Sequence, residues 1–299
     1  MAHSVGAISH HKESFISKYI FSTDHKMIGK QYFLTGLVMA FIGGFLAYVF
    51  RMQLAYPGQS IPLYGKLTPL AYNSMVTMHG TIMIFWVAMP ILLSAAGNFL
   101  IPLMVGIDDM VFPKLNMLSY WIFLLSTIIL VASFMVPGGA FGGGWTAYPP
   151  LSADGYPKIP PPIYSGGTLW VLAVALEFVS MLMGGINFIV TTINKKAKGM
   201  SFLDMPIMVW MLNLASLVFM LSVGPLIAGA IMLLFDRTIG TGFYDPARGG
   251  DPILFQHFFW LFGHPEVYVL LWPSLGIVGE IITNFSRKPF FGYKTIVVA

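Results

Sequence analysis

The sequence predicts an all-α protein, a polytopic transmembrane helix bundle. Three observations carry this. Of 299 residues 57% are hydrophobic and only 9% charged, and the mean hydropathy is +0.77, far outside the range of soluble domains. The apolar residues gather into runs long enough to cross a bilayer, which takes about 20 residues. Glycine and proline crowd between those runs.

The runs fall at roughly 31–50, 73–104, 115–136, 167–193, 203–235 and 254–283, and a seventh begins near 291. This predicts six complete helices plus the start of another in a single membrane domain, 1–299. Such an ending is expected of a fragment or an incomplete gene product. Cytoplasmic loops accumulate Lys and Arg. Lys12, Lys18, Lys26, Lys30, Lys114, Lys195, Lys196, Lys198, Arg287, Lys288 and Lys294 fall on one side; Arg51, Lys66, Lys158, Arg237 and Arg248 fall on the other. The N-terminus is therefore expected in the cytoplasm. Met1 to Ser22 is polar and His-rich, without the apolar core of a signal peptide. The segment Pro137 to Gly167, with Gly142-Gly143-Gly144 and Pro160-Pro161-Pro162, can be neither helix nor lipid-facing backbone, and is expected to cap the outer mouth. Pro90, Pro225, Pro265 and Pro273 remove hydrogen bonds within spans.

The net charge of +4 does not imply nucleic acid, because the basic residues are scattered through connections and form no continuous face. With no cysteine there is no disulfide, thiolate ligand or Cys-attached haem. Any metal must be held by histidine, carboxylate or phenolate.

The chemistry concentrates in His264-Pro265-Glu266-Val267-Tyr268, set inside an apolar run. An intramembrane ionisable residue costs a few kcal/mol or more and is a functional-site hypothesis by default. His264 and Tyr268, four apart, project from one helix face. Glu266 points away from it, which suits a carrier of protons better than a ligand. Of seven histidines, His3, His10, His11 and His25 precede the first span and His257 sits at the outer end of the sixth, so His79 and His264 are expected to be the buried pair. A lone buried histidine is more often hydrogen-bonded to a neighbouring helix than a ligand. Gly80 leaves room beside the His79 ring, however, and Met75, Met78, Met83, Phe85 and Trp86 form a polarizable surround that suits an axial haem ligand.

Asp108-Asp109 follows the second run at the inner mouth, where an acid pair is usually just solvated. Asn98, Asn116, Ser119, Ser180 and Asn187 place small polar groups at the inner ends of helices. They serve equally as the lining of a water path or as interhelical glue. Glu177 is also intramembrane and has no assigned role.

At these residues the chain resembles subunit I of the haem–copper oxidases, of the A-type cytochrome c oxidases. The matches are Ser22-Thr23-Asp24-His25-Lys26, Thr77 to Trp86, Asp109-Met110 with Phe112-Pro113, Gly144-Trp145-Thr146 with Tyr148-Pro149-Pro150, Gly185-Ile186-Asn187-Phe188, and Gly249 to Tyr268. The resemblance implies that His79 binds the iron of a low-spin haem, and that His264 binds copper and is covalently linked to Tyr268. It further implies that Glu266 relays protons and that Asp109 opens a channel lined by Asn98, Asn116, Asn187 and Ser180, with Met181 in place of a serine. Arg51 would bond the formyl group of the low-spin haem, with Tyr72 beside it, and Trp145 would lie near the propionates. The cofactors implied are a low-spin and a high-spin haem, both of the A type, and copper. The partners implied are a copper-bearing subunit II, subunit III, cytochrome c, dioxygen and membrane lipid.

Quinol-oxidising relatives carry polar side chains where this chain has Ile42, Leu46, Ala71 and Ser74, so cytochrome c is the expected donor. Gln53 stands where many members have a glutamate at a calcium or sodium site, so that cation is not expected. Two more copper histidines, the second low-spin ligand, the high-spin haem ligand and the lysine of a second proton channel would all fall beyond Ala299. The expected function is a proton-pumping terminal oxidase in an energy-transducing membrane, with the bacterial inner membrane placed ahead of the mitochondrial one. A nitric oxide reductase of the same fold and a metal-free proton-coupled transporter or channel are the alternatives.

Overall fold

A computed structural model describes residues 14–153 and 165–299. The readings placed on His3, His10, His11, Lys12, Lys158 and Pro160-Pro161-Pro162 lie outside the described residues.

The regular structure among the described residues is all helical, apart from one isolated bridge between Ile61 and Gly65. Helix α1, His25–Ala55, starts six residues before the apolar run. The cause is Asp24, whose side chain accepts from the Met27 N–H 2.8 Å away and satisfies a donor that the first turn leaves open. The second span is compound: α2, Pro69–Thr81, is followed by π-helical windings at Ile82–Ala88 and Pro90–Ala95 and then by α3, Ala96–Val105. Pro90 opens the second of these windings. A proline has no N–H to give and its ring crowds the carbonyl four residues back. Gly106, at φ 72°, ends α3 in the left-handed conformation that glycine adopts without steric cost.

The remaining helices are α4, Pro113–Ala132; α5, Gly166–Lys195; α6, Ile207–Thr238; α7, Pro252–Ser286; and α8, Tyr293–Val298. Among the described residues six helical stretches have the length and apolarity to cross a membrane, as the composition predicts, and α8 falls at the start of the seventh run. Helix α7 continues through Pro265 and Pro273 without a break. The described part of the Pro137 to Gly167 connection has no helix before Gly166, where α5 begins, as its glycines and prolines dictate.

Packing is sequential. Helices α4 to α7 each lie against their neighbour in the chain, and α1 runs along the compound second span. The core between them is aromatic: Phe178 lies 5.3 Å from Phe85 and 4.8 Å from Phe262, and Phe219 lies 5.7 Å from Phe262, centroid to centroid.

Two corrections concern charges. Arg237, assigned to an outer loop by the charge pattern, belongs to α6 and is buried. Its guanidinium donates to Thr168 Oγ1 at 3.1 Å, to Ser165 Oγ at 2.7 Å and to the Ser152 carbonyl, and so ties α6 to the start of α5 and to the cap. His25, placed before the first span, is the first residue of α1 and is buried, with Nδ1 2.7 Å from the Asn98 carbonyl.

One close approach has a measurable consequence. A Cβ on Gly97 would lie 2.5 Å from Cε2 of Phe188, a ring that is itself buried, whereas a Cβ on Gly44 would meet nothing within 4 Å. Gly97→Ala is expected to destabilise the bundle by about 1–3 kcal/mol through overpacking, and Gly44→Ala is expected not to. Thermal unfolding of the two variants, read side by side, checks this.

Candidate functional site

His79 lies in the last turn of α2, half-buried. Its Nδ1 is 2.9 Å from the Gly43 carbonyl of α1, and its ring meets Phe50 edge-on at 5.5 Å. The interhelical hydrogen bond expected of an ordinary buried histidine is therefore present. It also leaves Nε2 uncommitted, and an outer hydrogen bond on the other ring nitrogen is the arrangement that orients a metal-binding imidazole. The space beside Gly80 belongs to Trp145, which a Cβ there would approach to 3.7 Å. Trp145 is brought over α2 by its neighbour Gly144, whose N–H donates to Thr77 Oγ1 at 3.0 Å. Its ring then meets Phe85, Phe259 and Trp260. Tyr72 packs edge-on to Phe50, 6.3 Å away. Arg51, the next residue after Phe50, is exposed and forms no hydrogen bond or ion pair among the described residues.

On α7 the rings of His264 and Tyr268 lie 4.9 Å apart at 68°, as four-residue spacing requires. Their burial differs from expectation. His264 is exposed on the outer face of the bundle and Tyr268 is half-buried, while Glu266 is only 2% exposed. Residues two apart on a helix project to nearly opposite sides, so burying Glu266 against α6 and its neighbours turns His264 outward. Glu266 Oε1 has no hydrogen-bond partner among the described residues.

His79 fits an axial haem ligand by its free Nε2. For copper, the chain offers one imidazole beside one phenol, and no three His, Asp or Glu side chains among the described residues gather to hold an ion. Completing that site takes ligands from outside these residues.

The small polar residues do meet. Asn116 Nδ2 donates to Asn98 Oδ1, and Asn98 Nδ2 donates to the Ser94 carbonyl at 2.8 Å. Ser119 Oγ donates to the Asn116 carbonyl at 2.7 Å, and Ser180 Oγ donates to the Ser119 carbonyl at 2.6 Å. Tyr32 reaches in from α1, donating to Ser119 Oγ at 3.0 Å and lying 3.0 Å from Ser180 Oγ. These bonds join α1, α3, α4 and α5, as the reading of interhelical glue expects, while Asn116 Oδ1 keeps an unpartnered buried acceptor. Met181 takes the Ser94 hydroxyl at 2.9 Å.

At the inner end Asn187 accepts from the Phe112 N–H at 3.1 Å, and Thr191 Oγ1 accepts from the Val111 N–H at 3.0 Å. The side chain of α5 thus holds the loop that carries Asp109. Asp109 is half-buried, and its carboxylate accepts from the Met110 N–H at 2.7 Å. Burial pushes this carboxyl above its usual range, against the opposing pull of the Met110 N–H and of His25 and Lys195. A raised carboxyl pKa means that ionisation weighs against the folded state, a penalty absent at low pH and present once pH passes the folded value. Asp109→Asn is therefore expected to unfold no lower than the parent at pH 7, with any gain vanishing below the ordinary carboxylate range. A variant markedly less stable at pH 7 would contradict this.

Sequence reasoning missed His25, Tyr32 and Thr191. His25 was signalled by Asp24, a helix-capping residue just ahead of an apolar run. Tyr32, seven residues on, follows it on the same helix face. Nothing local marks Thr191.

Among the described residues, six helices long and apolar enough to cross a membrane define a polytopic membrane protein, with histidines in three of those helices and Glu177 and Glu266 buried within the bundle. Residues 27–299 match the family described as Cytochrome C and Quinol oxidase polypeptide I, and the chain belongs to that family. It is 39% identical to the alternative cytochrome c oxidase subunit 1 of Bradyrhizobium diazoefficiens over 97% of this chain and 50% of that protein. It is 39% identical to cytochrome c oxidase subunit 1 of Candida albicans over 96% of this chain and 52% of that one. With the probable cytochrome c oxidase subunit 1-beta of Nocardia farcinica the identity is 41%, over 96% and 47%. The chain thus spans about half the length of the curated relatives it matches.

Proposed function

We propose that this chain is the N-terminal part of the catalytic subunit of a proton-pumping terminal oxidase, which takes electrons from cytochrome c and reduces dioxygen to water. The observation that carries the reading is the arrangement on α7: an imidazole and a phenol meeting edge to face at 4.9 Å on one face and a buried, unpaired acid on the other. Nothing in lipid stabilises such a set unless it works.

The residues divide by task. His79 would hold a low-spin haem through Nε2, and Arg51, Tyr72 and Trp145 would contact it, Arg51 favouring the formyl of an A-type haem. His264 would supply one copper ligand, and Tyr268, tethered to it, would offer a proton and an electron for dioxygen reduction. When bound, the haems and copper supply the electron transfer to dioxygen. Asp109 admits protons from the cytoplasmic side, the file of Asn98, Asn116, Asn187 and Ser180 conducts them, and Glu266 delivers them. A buried acid is suited to this because a charge in a low-dielectric interior attracts a compensating proton strongly. Burying the carboxylate itself without a partner is costly, so the group tends to hold its proton until one is drawn from it.

Cytochrome c rather than quinol is supported by Ile42, Leu46 and Ala71, which offer a quinol no polar contact. The Ser74 hydroxyl is already spent on the Ala140 carbonyl at 2.7 Å. Electrons would enter through a copper-bearing subunit II, with subunit III and lipid completing the assembly in an energy-transducing membrane, its N-terminus cytoplasmic. The reduced-minus-oxidised visible spectrum of the native complex tests the reading. Haem bands of the A type are expected, and a spectrum without haem would leave a metal-free transporter in its place.

A further inference from the structure

Glu177 has no part in the proposed mechanism, yet it is the most deeply buried acid among the described residues. It is 0% exposed, and both carboxyl oxygens lack a hydrogen-bond partner among the described residues. Among the described residues, the titratable groups within electrostatic range of it are Glu266 of α7 and Tyr32 of α1, and neither is a cation. A side chain serving only to fill this space would be better apolar, since replacing buried charge by packed hydrocarbon is neutral or stabilising.

Its position on α5 is specific. Thr191, Asn187, Gly184, Ser180 and Glu177 follow one another at steps of four, three, four and three residues, so they share one helix face, and all five are buried. At the inner end this stripe holds the loop carrying Asp109 through Asn187 and Thr191. In its middle a Cβ on Gly184 would meet no atom within 4 Å, so the stripe passes open space there. Ser180 then meets Tyr32 and Ser119. Glu177 is the next residue along, and beyond it stands Glu266. At about 1.5 Å per residue the stripe climbs roughly 20 Å along α5.

We propose that Glu177 is a second carboxyl station on the proton route, set one helical turn past Ser180, so that two acids in series carry protons through the middle of the membrane. The inference rests on the proton route proposed above and adds a member to it. The carboxylic acid of Glu177 gives its proton to the Glu266 carboxylate left by the previous delivery, one O–H bond breaking on Glu177 and one forming on Glu266, and the resulting Glu177 carboxylate takes the next proton from the Ser180 side. No electrons move. Glu177 is a relay residue that acts through Glu266.

The test uses the whole assembled oxidase in vesicles. Proton uptake from the bulk is timed with a pH-indicating dye after the reduced enzyme meets dioxygen, and the infrared difference spectrum between reduced and oxidised forms is recorded. Glu177→Gln is expected to slow uptake by roughly 100-fold, to remove one carboxyl C=O band and to leave the visible haem spectrum unchanged, while Glu177→Asp restores most of the rate. Wild-type uptake and an unaltered infrared spectrum in Glu177→Gln, with Asp109→Asn slowed, would overturn the relay and leave the route standing. Unaltered uptake in Asp109→Asn as well would remove the route and the relay together. Should Glu177→Gln fail to assemble, Glu177→Asp carries the test: a displaced carboxyl band supports the relay, and an unmoved one overturns it.

Discussion

Replacing Glu266 by glutamine is expected to abolish dioxygen consumption in the assembled oxidase while its haem spectra stay as they were. Glutamine has nearly the shape of glutamic acid, and the side chain is 2% exposed with Oε1 free of any partner among the described residues. The substitution therefore breaks no bond that the fold depends on. What it removes is the exchangeable proton, because a neutral amide neither releases nor accepts one at ordinary pH. A positioned proton donor contributes roughly 10²–10⁴-fold to a rate, so turnover on an oxygen electrode with reductant in excess should fall by at least about 100-fold. Normal consumption would discard the role given to this acid.

His79→Leu is expected to remove the low-spin haem component from the visible spectrum. Leucine fills much of the same volume and is a good helix former, so α2 should persist. It offers no nitrogen, however, and the bond from Nδ1 to the Gly43 carbonyl, which aims the ring, disappears with it. Weakening an outer hydrogen bond alone typically costs 10–100-fold in metal affinity; losing the ligand itself should empty the signal. Full retention of the low-spin band would mean that the iron is held elsewhere.

Much of this architecture can be read from the chain. Apolar length locates the six helices because lipid demands it, and the glycines of Pro137 to Gly144 mark the cap by forbidding helix. Helix ends are less legible: α1 begins at His25 because Asp24 caps it, among polar residues that dilute the apolar run. Periodicity places His264 with Tyr268 and opposite Glu266, yet it does not say which face meets the bundle. That depends on what α6 and α5 present, and here it leaves Glu266 inside and His264 outside. The burial of Arg237 was hidden for the same reason, since three acceptors from distant segments had to converge on it. The proximity of Glu177 to Glu266 likewise joins helices nearly ninety positions apart in the chain, and no local pattern could reveal it.

The two wide windings between Ile82 and Ala95 bear on how this span tolerates change in length. A turn closed by a bond to the fifth residue stores one residue more than an ordinary turn. Deleting a single position there lets the coil tighten to the common pitch, and the two ends keep their angular relation, so His79 still looks toward α1 and Asn98 toward α4. The same deletion in α5, which has no such slack, would swing everything beyond it by about 100°. The stretch around Pro90 is therefore where this span has room to lose a residue without misaligning His79 and the inner mouth.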